Sequence, residues 1–317
     1  MSLRTVMLIV NLLALVAFGV LAAAALKRRT KEDPPNFQTY HGDEVLESSR
    51  LERWQGWSVL FSFVIAASLP LYWLREPSRQ ASMKTYFERT AAARGAELFG
   101  TEGTAALACE RCHGAKGAGG AVSYLLVPEE PGAKPRFVNW RAPSLDDVML
   151  RFPEDQVKDI ITYGRPGTPM PPWGLAGGGP LGVQGITDLV AYLKSITVSD
   201  KAAKERQTDL TGGKELFEGN CARCHTKGWS YFDPANPSDR PPVSGGGAYG
   251  PSLAEGAARR QFPGPDGPKE HADFIAEGSV KNKRYGDRGV GAGRMPGFTR
   301  ILSRQQIERI VEYERGL

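Results

Sequence analysis

Cys109-Glu110-Arg111-Cys112-His113 and Cys221-Ala222-Arg223-Cys224-His225 decide the reading of this chain. Both are Cys-x-x-Cys-His, the attachment sequence for a c-type haem. The spacing has a chemical reason. Cysteines three positions apart can each add a thioether to one of the two vinyl groups of a single porphyrin. The histidine that follows then reaches the iron as its proximal axial ligand. A lone Cys-x-x-Cys is equally at home in a redox dithiol or a zinc site. Here there are two copies, each with its histidine, and they use all four cysteines and two of the four histidines. A zinc site sharing both pairs usually needs them about 15–20 residues apart; far more than that separates Cys112 from Cys221. The motifs therefore predict two covalently bound haem c groups, on Cys109 and Cys112 and on Cys221 and Cys224, with His113 and His225 on the irons.

The bulk composition sets the frame. A chain of 317 residues has room for two or three domains. Its 37 Gly and 23 Pro suit small helical units joined by long irregular loops. Net charge is only +5: residues 95–198 carry 9 basic and 11 acidic side chains, residues 199–317 carry 19 and 16. No polybasic block exists and aromatics do not interleave with basic residues, which argues against nucleic-acid binding. No cluster suggests a nucleophile or a general base, so no catalytic residue is expected.

Two apolar blocks lie near the N-terminus. Residues 3–26 hold no acid and one base, Arg4, and exceed the ~20 residues needed to span hydrocarbon. A cleaved signal peptide is the competing reading. It is disfavoured by the thin charged start, the long apolar run and the Lys27-Arg28-Arg29 that follows at once. Residues 57–74 form the second block, with Trp54 and Trp57 at one end and Tyr72 and Trp73 at the other, as an aromatic belt requires. The segment between them is the more basic flank. It holds Lys27, Arg28, Arg29, Lys31, Arg50 and Arg53, so the positive-inside rule puts this loop, with His41, in the cytoplasm and both termini outside. The resemblance of the two motifs to c-type attachment sequences implies that haem is attached on that same outer side.

The rest of the chain is an internal duplication. Gly95-Ala96-Glu97-Leu98-Phe99 precedes the first motif and Gly213-Lys214-Glu215-Leu216-Phe217 the second. Beyond the motifs, Pro143-Ser144-Leu145 matches Pro251-Ser252-Leu253, and Ile160 to Gly164 matches Phe274 to Gly278. Met170-Pro171 matches Met295-Pro296, and Leu189 to Tyr192 matches Ile310 to Tyr313. The expected plan is a transmembrane helix at 1–26, a cytoplasmic loop at 27–55, a second transmembrane helix at 56–74 and a polar connector at 75–94, helical from Met83 to Arg94. A first module at 95–198, a linker at 199–210 and a second module at 211–317 follow. The Gly/Pro-rich stretch 233–268 is expected to be an exposed loop or docking surface, with passive filler the alternative.

With these landmarks in place, each repeat resembles a class I cytochrome c, the small all-helical fold that wraps one haem. The resemblance covers about residues 90–317 and implies an all-α fold: two N-terminal transmembrane helices, then two tandem class I cytochrome c domains. It implies a crossing of the first and last helices of each module through Gly95, Phe99 and Tyr192, and through Gly213, Phe217 and Tyr313. It implies that Pro143 and Pro251 accept a hydrogen bond from the haem histidine through their carbonyls. It also implies that Met170 and Met295 are the distal iron ligands, which raises the reduction potential. The alternative for a lone Met is a core filler, a role that suits Met149. His271 has no counterpart in the first repeat and reads as a surface residue or a replacement ligand. Arg111 and Arg223 occupy matching places in the two motifs.

Two six-coordinate irons leave no position for substrate, so the implied work is outer-sphere electron transfer in a bacterial respiratory chain. Membrane-anchored dihaem subunits of this kind accompany quinol-oxidising cytochrome bc complexes, with cytochrome b and Rieske-type partners, and cbb-type haem-copper oxidases. Residues 43–54 are similar to the polar run of the oxidase subunit but lack its proline and paired tryptophans. The bc-complex subunit is the first expectation and the oxidase subunit the second. A freestanding anchored cytochrome and a dihaem peroxidase-like enzyme are further readings.

Overall fold

The computed structural model describes residues 9, 12–13, 15–20, 23–24, 49–128, 131–238 and 240–317. The chain divides into two units, Met1–Phe87 and Glu88–Leu317. The longest element among the described residues is helix α1, Ser49–Phe99, so residues 75–94, expected as a connector helical from Met83 to Arg94, are helical throughout. Within the first unit, α1 carries apolar side chains on all sides. Trp54, Trp57, Phe61, Ile65 and Trp73 are all exposed. Among the described residues it is one helix long and apolar enough to cross a membrane. Pro70 and Pro77 lie inside it, which membrane helices tolerate. Of the expected first span, eleven residues between 9 and 24 are described, and they are helical. Phe18 among them stacks on Phe63 with ring centroids 4.9 Å apart. The remaining positions of that span, and residues 27–48 of the expected loop with His41, lie outside the described residues.

The second unit holds both repeats. In the first, α2 (Glu110–His113) is followed by strands β1 (Gly120–Leu126) and β2 (Arg136–Ala142). Helices α3 (Val148–Arg151), α4 (Glu154–Tyr163) and α5 (Val183–Ile196) complete it. After α6 (Asp200–Glu205), the second repeat runs α7 (Gly213–Asn220), α8 (Ala222–His225), β3 (Tyr231–Phe232), α9 (Ala257–Gln261) and α10 (Gly267–Glu277). A short β4–β5 hairpin (Arg284–Tyr285, Gly289–Val290) then leads to α11 (Arg304–Glu314).

Each repeat is built on one helix crossing. The end of α1 crosses α5 where Gly95 allows it: a Cβ there would lie 2.8 Å from the Tyr192 Cβ. Four residues on, Phe99 packs on Tyr192 at 5.2 Å. Arg94 locks the same crossing by two 2.7 Å bonds to the buried Asp188 carboxylate. In the second repeat, α7 crosses α11 at Gly213, whose added Cβ would stand 3.0 Å from the Tyr313 Cβ, and Phe217 packs on Tyr313 at 5.4 Å. Below the crossings lie two cores. One holds Phe99, Phe152, Ile161, Ile186 and Leu193; the other holds Leu216, Phe217, Ile275, Leu302 and Ile310.

The fold is mostly helical but not all-α. Strands β1, β2 and β3 form one antiparallel sheet, with Tyr124 opposite Val138, and Trp140 opposite Tyr231. The physical cause is a period-2 run of branched and aromatic residues, Val122 and Tyr124 on one strand and Val138 and Trp140 on the other, on either side of Pro131-Gly132. Because β3 belongs to the second repeat, the sheet joins the two repeats into one body. Other ties reinforce it. Leu150 of the first repeat and Ala203 of α6 are buried in the second core, so residues 199–210 are no slack tether. Arg300 grips Asp200 and also reaches the Met149 carbonyl.

Candidate haem sites

Both Cys-x-x-Cys-His runs fold as a single helical turn, α2 and α8, entered from the first cysteine. His113 N donates to the Cys109 carbonyl and His225 N to the Cys221 carbonyl, each at 3.0 Å. A turn of this pitch sets residues i, i+3 and i+4 on one side, so both cysteines and the histidine of each motif share a face. None of the four cysteines is in a disulfide. Burial pushes Cys109 up to about 11, raises Cys112 and Cys224, and takes Cys221 well above the ordinary thiol range. A redox dithiol needs one thiol pushed the other way. Nor are the two pairs gathered into one ligand set: among the described residues, no group of three or more His, Cys, Asp and Glu side chains is placed to hold a metal ion.

Each motif histidine faces a proline carbonyl. His113 Nδ1 is 3.0 Å from the Pro143 carbonyl, and His225 Nδ1 is 2.8 Å from the Pro251 carbonyl. A carbonyl only accepts, so the Nδ1 proton is fixed there and Nε2 keeps its lone pair for a metal. Burial lowers the His113 pKa, which favours the neutral ligand form against the opposing pull of the Pro143 bond; the charge of Arg223 adds to the lowering. These features fit a covalently held haem: two thiols and one oriented imidazole on a common face, twice.

The methionines sit in loops with a shared construction. Helix α4 ends at Gly164 (φ 68°, ψ −162°) and α10 at Gly278 (φ 82°, ψ 178°), conformations essentially reserved for glycine. A Cβ on Gly164 would lie 2.6 Å from the Met170 carbonyl oxygen, and one on Gly278 would lie 2.7 Å from that of Met295. The residue after each glycine donates to the methionine carbonyl: Arg165 N to Met170 O at 3.1 Å, Ser279 N to Met295 O at 3.0 Å. Each methionine N–H is also taken by a hydroxyl, Thr168 Oγ1 at 3.2 Å and Ser279 Oγ at 3.0 Å. The bond spans five positions in one repeat and sixteen in the other, where the β4–β5 hairpin is inserted. Met295 packs against the second core and Met170 is half-buried. The contacts fixing the histidines thus run to the prolines, and those fixing the methionines run to the helix caps.

His271 is not on the surface. It is buried on α10, stacks on Phe262 at 4.9 Å, and places Nε2 3.0 Å from Glu314 Oε2 on α11. Arg111 is exposed, but its repeat counterpart Arg223 is half-buried and donates to the Arg141 carbonyl at 2.9 Å. Gly297, two residues past Met295, donates its N–H to the Arg151 carbonyl of the first repeat at 3.1 Å. Met149 packs against the first core, as a filler should.

Residues 90–193 match the family model described as cytochrome C oxidase, cbb3-type, subunit III, and residues 210–316 match the model described as cytochrome c. No curated protein matches the chain, and no solved structure does.

Proposed function

Two cytochrome c domains, each implying a haem c, stand in tandem in this chain, and from that footing we propose that it is a membrane-anchored dihaem relay passing electrons one at a time between respiratory proteins. The observation that carries this reading is the twice-repeated bond from a histidine Nδ1 to a proline carbonyl, at 3.0 and 2.8 Å. It leaves two imidazoles oriented for iron.

When bound, haem c supplies a one-electron couple at its iron. The chain's own residues do the rest. Cys109 and Cys112, with Cys221 and Cys224, hold the two groups covalently, so neither is lost on the outer face of a membrane. His113 and His225 serve as proximal ligands, aimed by Pro143 and Pro251. Met170 and Met295 would complete the ligand sets of the two irons through their thioethers, and their loops are fixed at both backbone N–H and carbonyl. Modules at 95–198 and 211–317 follow two N-terminal spans. The basic residues of the 27–55 loop support placing that loop in the cytoplasm of a bacterial cell and both modules outside.

The partner follows from the family match. A cbb3-type subunit III domain points towards a haem-copper oxidase, whereas the sequence resemblance alone favours cytochrome b and Rieske-type subunits. The comparisons lend that first expectation no support, and the oxidase is the partner we propose. Purification from the native membrane in mild detergent tests it. Copurifying haem-copper oxidase is the expected result. Copurifying cytochrome b and Rieske protein would return the chain to a quinol-oxidising complex, and neither would leave a freestanding cytochrome. Haem content of two per chain, low-spin in both redox states, tests the relay itself.

A further inference from the structure

The second attachment motif lends a side chain to the first module. Arg223 lies between Cys221 and Cys224, yet its Nη1 bonds to the Arg141 carbonyl on β2 at 2.9 Å. Two residues beyond Arg141 is Pro143, whose carbonyl fixes His113 at 3.0 Å. The same end of β2 is clamped from the second module at the backbone. Arg141 N donates to the Ser230 carbonyl at 2.7 Å, and Trp140 pairs with Tyr231. A short run of bonds therefore links the two motifs: His113 to Pro143, along the chain to Arg141, across to Arg223, and on to His225.

Arg223 brings charge as well as geometry. A guanidinium stays protonated at any working pH, and this one is half-buried, where charges are screened less than at the surface. A cation held there disfavours the oxidised iron, which carries one more positive charge than the reduced iron. The matching Arg111 of the first motif is exposed, so the duplication is not symmetric at this place.

We propose that Arg223 is a positioning residue for the haem site of the first module, setting the Pro143–His113 bond through Arg141 and favouring the reduced state there. The proposal rests on the reading of both modules as haem c domains. It makes the potential of one haem depend on a residue of the other module.

The test is a potentiometric titration, followed optically, of the purified full-length chain and its variants. Met170→His identifies the first module's wave, because replacing a thioether by an imidazole lowers that potential. Arg223→Gln is expected to move this same wave to lower potential, in both the wild-type and the Met170→His backgrounds. Arg223→Lys restores the charge without the fork geometry and is expected to recover part of the shift. Arg111→Gln, at the matching exposed position, is expected to leave both waves in place. A shift confined to the second module's wave, no shift in either, or an equal effect of Arg111→Gln overturns the proposal. A wild-type chain without two low-spin haems overturns the relay reading and this inference with it. Two such haems with an unmoved first wave overturn this inference alone.

Discussion

Gly278→Ala tests whether the methionine loop of the second module is held as its backbone contacts imply. Gly278 closes α10 at φ 82°, ψ 178°. Holding an L-residue in such a sparsely populated region costs of order 1–3 kcal/mol. The new methyl would also meet three backbone atoms, Gly297 N at 2.6 Å, Pro296 C at 2.6 Å and Met295 O at 2.7 Å. None is the end of a flexible side chain, so the loop must move, and forced overpacking of this kind costs roughly 1–3 kcal/mol. The two contributions together give about 2–6 kcal/mol. For a unit of 150–250 residues, each kcal/mol lowers Tm by about 2–4 °C, so a drop of roughly 10 °C sits well inside the expected range. Gly256→Ala is the control. Gly256 also has positive φ, 71°, but in the left-handed helical region, with only Arg260 Nη1 near its would-be Cβ at 3.8 Å. It should lose only about 1–2 kcal/mol. The assay is thermal unfolding of the haem-loaded chain, with the methionine–iron band of the oxidised spectrum recorded on the same samples. If Gly278→Ala melts with Gly256→Ala and keeps that band, the loop is not fixed by the helix cap and the argument from backbone contact is wrong.

Other outcomes follow from single contacts. Burial works against the Asp188 carboxylate, yet the bonds from Arg94 and Gln184 outweigh it and hold its pKa below the ordinary value of 3.8. A depressed folded-state pKa gives stability that is present above the unfolded value and lost as pH falls through the folded one. The difference in stability between wild type and Asp188→Asn should therefore be full at neutral pH and shrink below about pH 4, as urea titrations across that range can show. His271→Phe leaves the Glu314 carboxyl buried without its 3.0 Å partner, a loss of about 1–3 kcal/mol. Adding Glu314→Leu should recover part of it, and a double-mutant cycle without coupling would refute the pairing. Met170→Ala and Met295→Ala should each convert one haem to a form that binds carbon monoxide, while the wild-type chain binds none; equal refusal by a variant would remove that methionine from the ligand set.

Much of the site is written locally. Cys109, Cys112 and His113 fall on one face of a single helical turn simply because they are i, i+3 and i+4, and the second motif repeats this. Gly95, Phe99 and Tyr192, with Gly213, Phe217 and Tyr313, mark the helix crossings because only glycine admits so close an approach and the rings fill what remains. Pro143 and Pro251 were legible through the resemblance, and both carbonyls stand within hydrogen-bond distance of their histidines. The strand pair was legible too, in the period-2 pattern around Pro131-Gly132, but the helical reading of the repeats covered it.

What the sequence determined by itself is the kind of chemistry, its duplication, and the helix pairs that frame each copy, since covalent spacing and side-chain periodicity belong to short stretches of chain. Only the tertiary structure decided the rest. It bonded Arg165 to Met170 across five positions and Ser279 to Met295 across sixteen. It buried His271 against Glu314 and carried β3 onto β2, so that Arg223 of one motif reaches the strand supporting the histidine of the other. Those contacts join residues far apart in sequence. Their partners are chosen by how the backbone's donors, acceptors and buried charges are satisfied once the two modules pack, and no local pattern in the chain encodes that choice.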